Sequence, residues 1–175
     1  SNTLLNSAVV KYGQSGFLHC GGGTLHFECL ASVVTDLNIG STNVQESNFR
    51  WGLRAHNSGS SSSIFSYGGI GFERLSTNNR KLNVVIGKSG AIYRQVIPVT
   101  MNDDDYTRLG FIVSADANKI DFYVNGGLVL SLFQQCPDST IGNLLHPAFE
   151  VQSTGGNNEP AMEIEAFWLR KNLQR

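Results

Sequence analysis

The chain has 175 residues, of which 15% are charged, and a formal net charge of −1. That length fits one domain, which can bury roughly 70% of its unfolded surface and needs neither a disulfide nor a metal to fold. The near-neutral balance argues against a general nucleic-acid binder, and no apolar run approaches the ~18 residues of a membrane span.

The chain begins Ser1-Asn2-Thr3 without a Met, which reads as a fragment or processed product. Residues 1–12 are expected to form an N-terminal linker or edge segment, and 13–175 a single domain. Nineteen glycines, many Ser and Asn, and short runs of Val, Ile, Phe and Tyr point to β-structure with frequent turns. Thr24–Thr35 puts Leu25, Phe27, Cys29, Ala31 and Val33 on one face of a strand. Phe49–His56 alternates more cleanly, with Phe49, Trp51, Leu53 and Ala55 opposite Arg50, Gly52, Arg54 and His56. Asn57–Ser63 reads as a loop, and Ile64–Leu75 as a strand with Gly68, Gly69 and Gly71 inside it. Lys81–Gly87 and Ala91–Val99 are predicted strands joined by Lys88-Ser89-Gly90. Arg108–Ser114, Lys119–Val124 and Gly127–Phe133 follow, with turns at Asp116–Asn118 and Asn125-Gly126. An Asn-Gly pair suits the positive φ that both central residues of a type I′ turn require. Two last strands are expected near His146–Gln152 and Ala161–Arg170, separated by Ser153–Pro160. Asp138–Leu145 offers at most a turn or two of helix. About a dozen strands without crossover helices exclude a parallel α/β sheet and imply an antiparallel two-sheet sandwich.

Cys20, Cys29 and Cys136 make an odd count and no framework, although Cys20 and Cys29 flank Gly21-Gly22-Gly23 and could face each other across a hairpin. Charge is asymmetric along the chain. Arg50, Arg54, Arg74, Arg80, Lys81, Lys88 and Arg94 accompany only Glu73, whereas ten acids between Asp103 and Glu165 accompany only Arg108 and Lys119. Either these blocks are solvated faces and loops, or the first is a basic face that attracts an acidic partner such as an acidic glycan.

The stretch Tyr106–Phe133 resembles the hairpin of laminin-G-like and concanavalin A-like domains. Ile120, Phe122, Tyr123, Val124, Asn125, Gly126, Leu128 and Val129 carry the likeness, and Ala161–Arg170 resembles that family's closing strand. The resemblance implies an all-β, two-sheet antiparallel jelly-roll sandwich. Its Gly/Ser/Asn-rich, low-charge character also resembles receptor- or glycan-binding domains of bacteriophage tail fibres and tailspikes. That narrower likeness implies a virion or extracellular location, a glycan or cell-surface receptor as partner, and a homotrimer assembled through a parent protein. It implies no nucleic acid and no membrane insertion.

Glycanases of this family carry a strand motif with three acids. The nearest stretch here, Glu163-Ile164-Glu165-Ala166-Phe167-Trp168, lacks the third acid and reads as two solvated glutamates. The lyase motifs do not occur. Asp103-Asp104-Asp105 lacks the alternate spacing of a calcium loop and reads as a solvated turn. His19, His26, His56 and His146 lack metal-ligand spacing. Trp51 and Trp168 read as core residues. Arg54, Tyr67 and Arg94 are therefore the candidate ligand-binding residues, with no catalytic residue, metal or cofactor expected. The expectation is a non-catalytic carbohydrate- or host-surface-binding domain. A structural or oligomerisation module is the alternative, and a polysaccharide-degrading enzyme the third reading.

Overall fold

The computed structural model describes residues 7–11, 18–34, 47–55, 65, 68–78, 80–88, 90–137, 144–153 and 161–173. Among the described residues, eleven strands build two antiparallel sheets. The six-stranded sheet runs β1 (Ser7–Lys11), β10 (Leu145–Ser153), β3 (Ser47–Ala55), β4 (Gly69–Arg74), β5 (Lys81–Lys88) and β6 (Ala91–Thr100). The five-stranded sheet runs β11 (Ala161–Lys171), β2 (Leu25–Val34), β7 (Thr107–Val113), β8 (Lys119–Val124) and β9 (Gly127–Phe133). This is the jelly-roll sandwich expected of the sequence. Among the described residues the only helical piece is one 3-10 turn, Ser76–Asn78. The predicted loops at 57–63 and 154–160, and the helical turn at 138–143, lie outside the described residues.

Alternation creates the interior. Leu25, Phe27, Cys29, Ala31 and Val33 from β2 face Phe49, Trp51, Leu53 and Ala55 from β3, and all are buried. Six phenylalanines form a continuous path between the layers. Phe167 meets Phe149 at 5.9 Å, Phe149 meets Phe27 at 6.4 Å, and Phe27 stacks on Phe111 at 5.1 Å. Phe111 then meets Phe122 at 5.8 Å, and Phe122 meets Phe72 edge-on at 5.5 Å. Offset and edge-to-face contacts of this kind add to the stabilisation from burial.

The turns follow their sequence signals. Asn125 and Gly126 have φ of 50° and 81°, as a type I′ turn requires. The Asn125 side-chain oxygen accepts from the Arg108 amide at 2.9 Å, so the turn is tied to the strand beside it. In the preceding turn, Ser114 Oγ accepts from the amides of Asn118 and Lys119 at 3.1 and 2.9 Å.

Two features depart from expectation. Cys20 hydrogen-bonds to Cys136 rather than facing Cys29, and all three are buried free thiols. Burial pushes the Cys29 thiol well above its ordinary pKa. The acidic run is not simply solvated either. Asp103 receives Arg74 at 2.6 Å and Arg80 at 2.8 Å, while the Asp104 amide donates to the Val33 carbonyl at 2.8 Å. The loop after β6 thus joins β4 of one sheet to β2 of the other. Arg74 is buried, with its guanidinium over the Phe49 ring at 5.8 Å. Burial lowers its pKa, and the hydrogen bond and charge of Asp103 oppose that shift. Asp103→Ala is therefore expected to cost about 3–5 kcal/mol by orphaning a desolvated cation, whereas Arg74→Met with Asp103→Leu should cost much less. Urea unfolding of the single and double variants reads the difference; equal losses would mean that the ion pair does not govern this end of the core.

Candidate functional site

The outer face of the six-stranded sheet carries charge where a sheet exposed to water would carry scattered polar groups. Strands β10, β3, β4 and β5 align Glu150, Arg50, Glu73 and Asn83 in one cross-strand row. Each of these residues alternates with core-facing neighbours, so each points away from the interior. The side chains complete the row. Arg50 Nη1 donates to Glu150 at 2.5 Å and its Nε to Glu73 at 3.4 Å, while Arg94 Nε donates to the other Glu73 oxygen at 2.5 Å. Arg50 Nη1 also reaches Gln152 at 3.0 Å. The Arg50 and Glu73 side chains are 3% and 0% exposed, against 38% for Arg94, so Arg94 is the row's contact with solvent.

Beside this row the face is built of glycine. Gly69, Gly71 and Gly87 leave room for Phe65, which is fully buried against them. A Cβ on Gly71 would come within 2.5 Å of the Phe65 ring, and one on Gly69 within 2.8 Å. Phe65 forms a small apolar cluster with Val85, Ala148 and Ile92 on this side of the sheet. Ile64–Leu75 is therefore not one strand. It divides into a segment that lays Phe65 over the sheet and the strand Gly69–Arg74 beneath it.

Of the candidate residues read from the sequence, Arg54 and Arg94 lie on this same face. Arg54 is buried, paired in register with His146 and Gly69. Burial lowers its pKa, and the charge of Glu150 opposes the shift. Tyr67 lies outside the described residues. Sequence reading passed over Arg50, Glu73 and Glu150 as site residues. Their outward alternation was legible; the register that brings residues 50, 73 and 150 together was not. The basic block is thus no separate basic face, because Arg50, Arg74, Arg80 and Arg94 take Glu73, Glu150 and Asp103 as partners.

The three-acid comparison also resolves. Glu163 lies on the outer face of the other sheet, where it accepts from the Tyr106 hydroxyl at 2.7 Å. Trp168 is not a core residue. A bulge between Ile164 and Ala166 shifts the phase of β11, so that Ile164, Phe167 and Leu169 turn inward and Trp168 outward. Trp168 is 51% exposed.

No family model matches the chain, and no curated protein matches it significantly. Solved structures do. A β-glucanase of Bacillus licheniformis superposes with a TM-score of 0.55 and 14% identity, over 90% of this chain and 69% of that one. A glycoside hydrolase family 16 endo-glucanase from Bacteroides ovatus gives 0.58 and 11%, over 94% and 74%. An alginate lyase of polysaccharide lyase family 7 gives 0.53 and 8%, over 90% and 66%. The chain thus spans about two thirds to three quarters of the length of these structures. At such identities the likeness shows the concanavalin A-like fold. The expectation of a non-catalytic binding domain is corrected to this extent: the three structures named here are two glucanases and a polysaccharide lyase.

Glu73→Gln removes the anion shared by Arg50 and Arg94 and is expected to cost about 3–5 kcal/mol. Arg94→Ala, at the exposed end, should cost about 1 kcal/mol or less. Chemical denaturation of the two variants checks this ranking, and a reversed order would remove Glu73 from the centre of the network.

Proposed function

We propose that this chain is a polysaccharide-degrading enzyme that hydrolyses glycosidic bonds on the outer face of the six-stranded sheet. The observation that carries the reading is the pair of carboxylates, Glu73 and Glu150, held on one guanidinium, that of Arg50. Glycoside hydrolysis needs two carboxyl groups on either side of the bond, about 5–5.5 Å apart for retention and about 6.5–9.5 Å for inversion. Adjacent strands lie about 4.8 Å apart, so backbones two strands apart stand about 10 Å from each other. From there both side chains lean onto the same arginine, Arg50, which stands between them.

The surroundings divide the roles. Glu73 receives two guanidinium groups, which suits it to the anionic part of base or nucleophile. Glu150 receives one guanidinium, that of Arg50, and is left the part of acid. Arg50 is a positioning residue. A sugar chain would first meet Arg94, the exposed member of the network. A virion or extracellular setting, in a tailspike-like parent that assembles as a trimer, would place such an activity against a polysaccharide-coated surface.

The test is product chemistry. The chain is incubated with mixed-linkage β-1,3-1,4-glucan and with alginate, and both reducing ends and unsaturated ends are measured. Reducing ends without unsaturation are expected, with Glu73→Gln and Glu150→Gln each slowing release by about 10²–10⁴-fold at a temperature where both variants are folded. Unsaturated ends would replace hydrolysis by elimination. Undiminished rates in both variants, or no product from any polysaccharide tried, would sink the assignment.

A further inference from the structure

We propose that the opposite side of the molecule, the outer face of the five-stranded sheet, carries a second carbohydrate-binding groove that holds a polysaccharide strand away from the cleavage face. The groove has a volume of about 380 Å³, within the range of small-ligand sites. Its shape follows from register. Trp168, Glu28, Gly110 and Tyr123 lie in one row across β11, β2, β7 and β8. Gly110 sits mid-row without a side chain, so the row dips there, and a trough opens between the indole and the phenol. Three strand spacings of about 4.8 Å separate the two aromatic residues, enough for more than one sugar ring between them.

The chemistry fits a pyranose better than a protein surface. Aromatic faces offer flat apolar area to the C–H face of a sugar ring, and the polar groups needed for its hydroxyls stand beside them. His26 and Arg170 are paired in register and flank the row with Ile112. Arg170 Nε donates to Asn172 at 2.8 Å, and Arg108 approaches Glu28 at 3.6 Å, so both chains are oriented before any ligand arrives. Glu28 accepts hydrogen bonds, and Arg170 donates them. A hydroxyl does both, which makes this mixture complementary to a neutral polyol. Trp168 is half exposed here because the bulge in β11 turns it away from the core. A docking face for a protein would more often present contiguous apolar residues.

This groove stands independently of the cleavage reading, and the experiment keeps the two apart. Retention of the chain is measured on native gels containing mixed-linkage β-glucan or alginate, beside cleavage of a short soluble oligosaccharide of the same glucan. Trp168→Ala is expected to weaken retention about tenfold, the scale of one lost aromatic contact with its hydrogen-bonding neighbours. Gly110→Leu, whose Cβ would meet the Phe27 carbonyl oxygen at 3.2 Å and otherwise point into the trough, should do the same by filling it. Trp168→Phe should restore part of the retention, and oligosaccharide cleavage should not change. Stronger retention in glucan than in alginate supports the neutral polyol; the reverse order overturns that part. Unaltered retention in both Trp168→Ala and Gly110→Leu, or no retention of the unsubstituted chain, overturns the groove. Loss of oligosaccharide cleavage in these variants would make it the cleavage site itself and overturn its role as a second one.

Discussion

A charge withdrawn from water has to find its partner within the protein, and on the six-stranded sheet that partner is on the neighbouring strand. Arg50 lies between Glu150 and Glu73, so one guanidinium spans three strands. Sliding β3 by one residue would turn Arg50 into the apolar interior and Phe49 and Trp51 out of it. Apolar burial on one face and ion pairing on the other therefore select the same register. The arrangement confers specificity more surely than stability, since well-packed apolar residues can replace a buried ion pair at little cost.

Much of the fold was legible because period-two alternation is a local property. The inward residues of β2 and β3 and the Asn125-Gly126 turn could be read directly, since each depends on neighbours a few positions away. The charge blocks could not be read so. Arg50 finds Glu150 a hundred positions along the chain, and Arg74 finds Asp103 across a loop, so blocks that suggested patches became pairs. Trp168 was misread for a different reason. Strict alternation places it with Ile164 and Ala166, but the bulge spends one residue without a partner and reverses the phase from there on. Phe65 was taken into one strand with the glycines that follow it; Gly69 and Gly71 instead receive its ring. The candidate site was legible only in part: Arg54 was placed opposite the core-facing residues of its strand and Arg94 was taken from the basic block, while the acids that complete the row were missed.

The two sheets present different outer surfaces. One carries desolvated carboxylates tied to arginines, an arrangement suited to shifting charge and protons. The other carries the exposed indole of Trp168, the partly buried ring of Tyr123 and half-exposed polar groups, suited to contact without chemistry. Both depend on glycine at positions where neighbouring strands supply large side chains. Gly69 and Gly71 admit Phe65 on the first, and Gly110 opens the trough on the second. The surfaces are thus shaped by where side chains are absent as much as by which are present.

The strand order also bears on how the chain is made. β2 lies between β7 and β11, with Lys171 opposite Leu25 and Thr107 opposite Ala31. During synthesis from the N-terminus, one edge of β2 waits for residue 107 and the other for residue 161. The hairpin of β8 and β9 can close locally, but β10 has to enter between β1 and β3 after all the strands up to β9 have emerged. Pairings so distant in sequence form slowly, and unpaired edges are sticky while they wait. A nascent chain of this topology is most exposed to misassembly in the interval before its last two strands leave the ribosome.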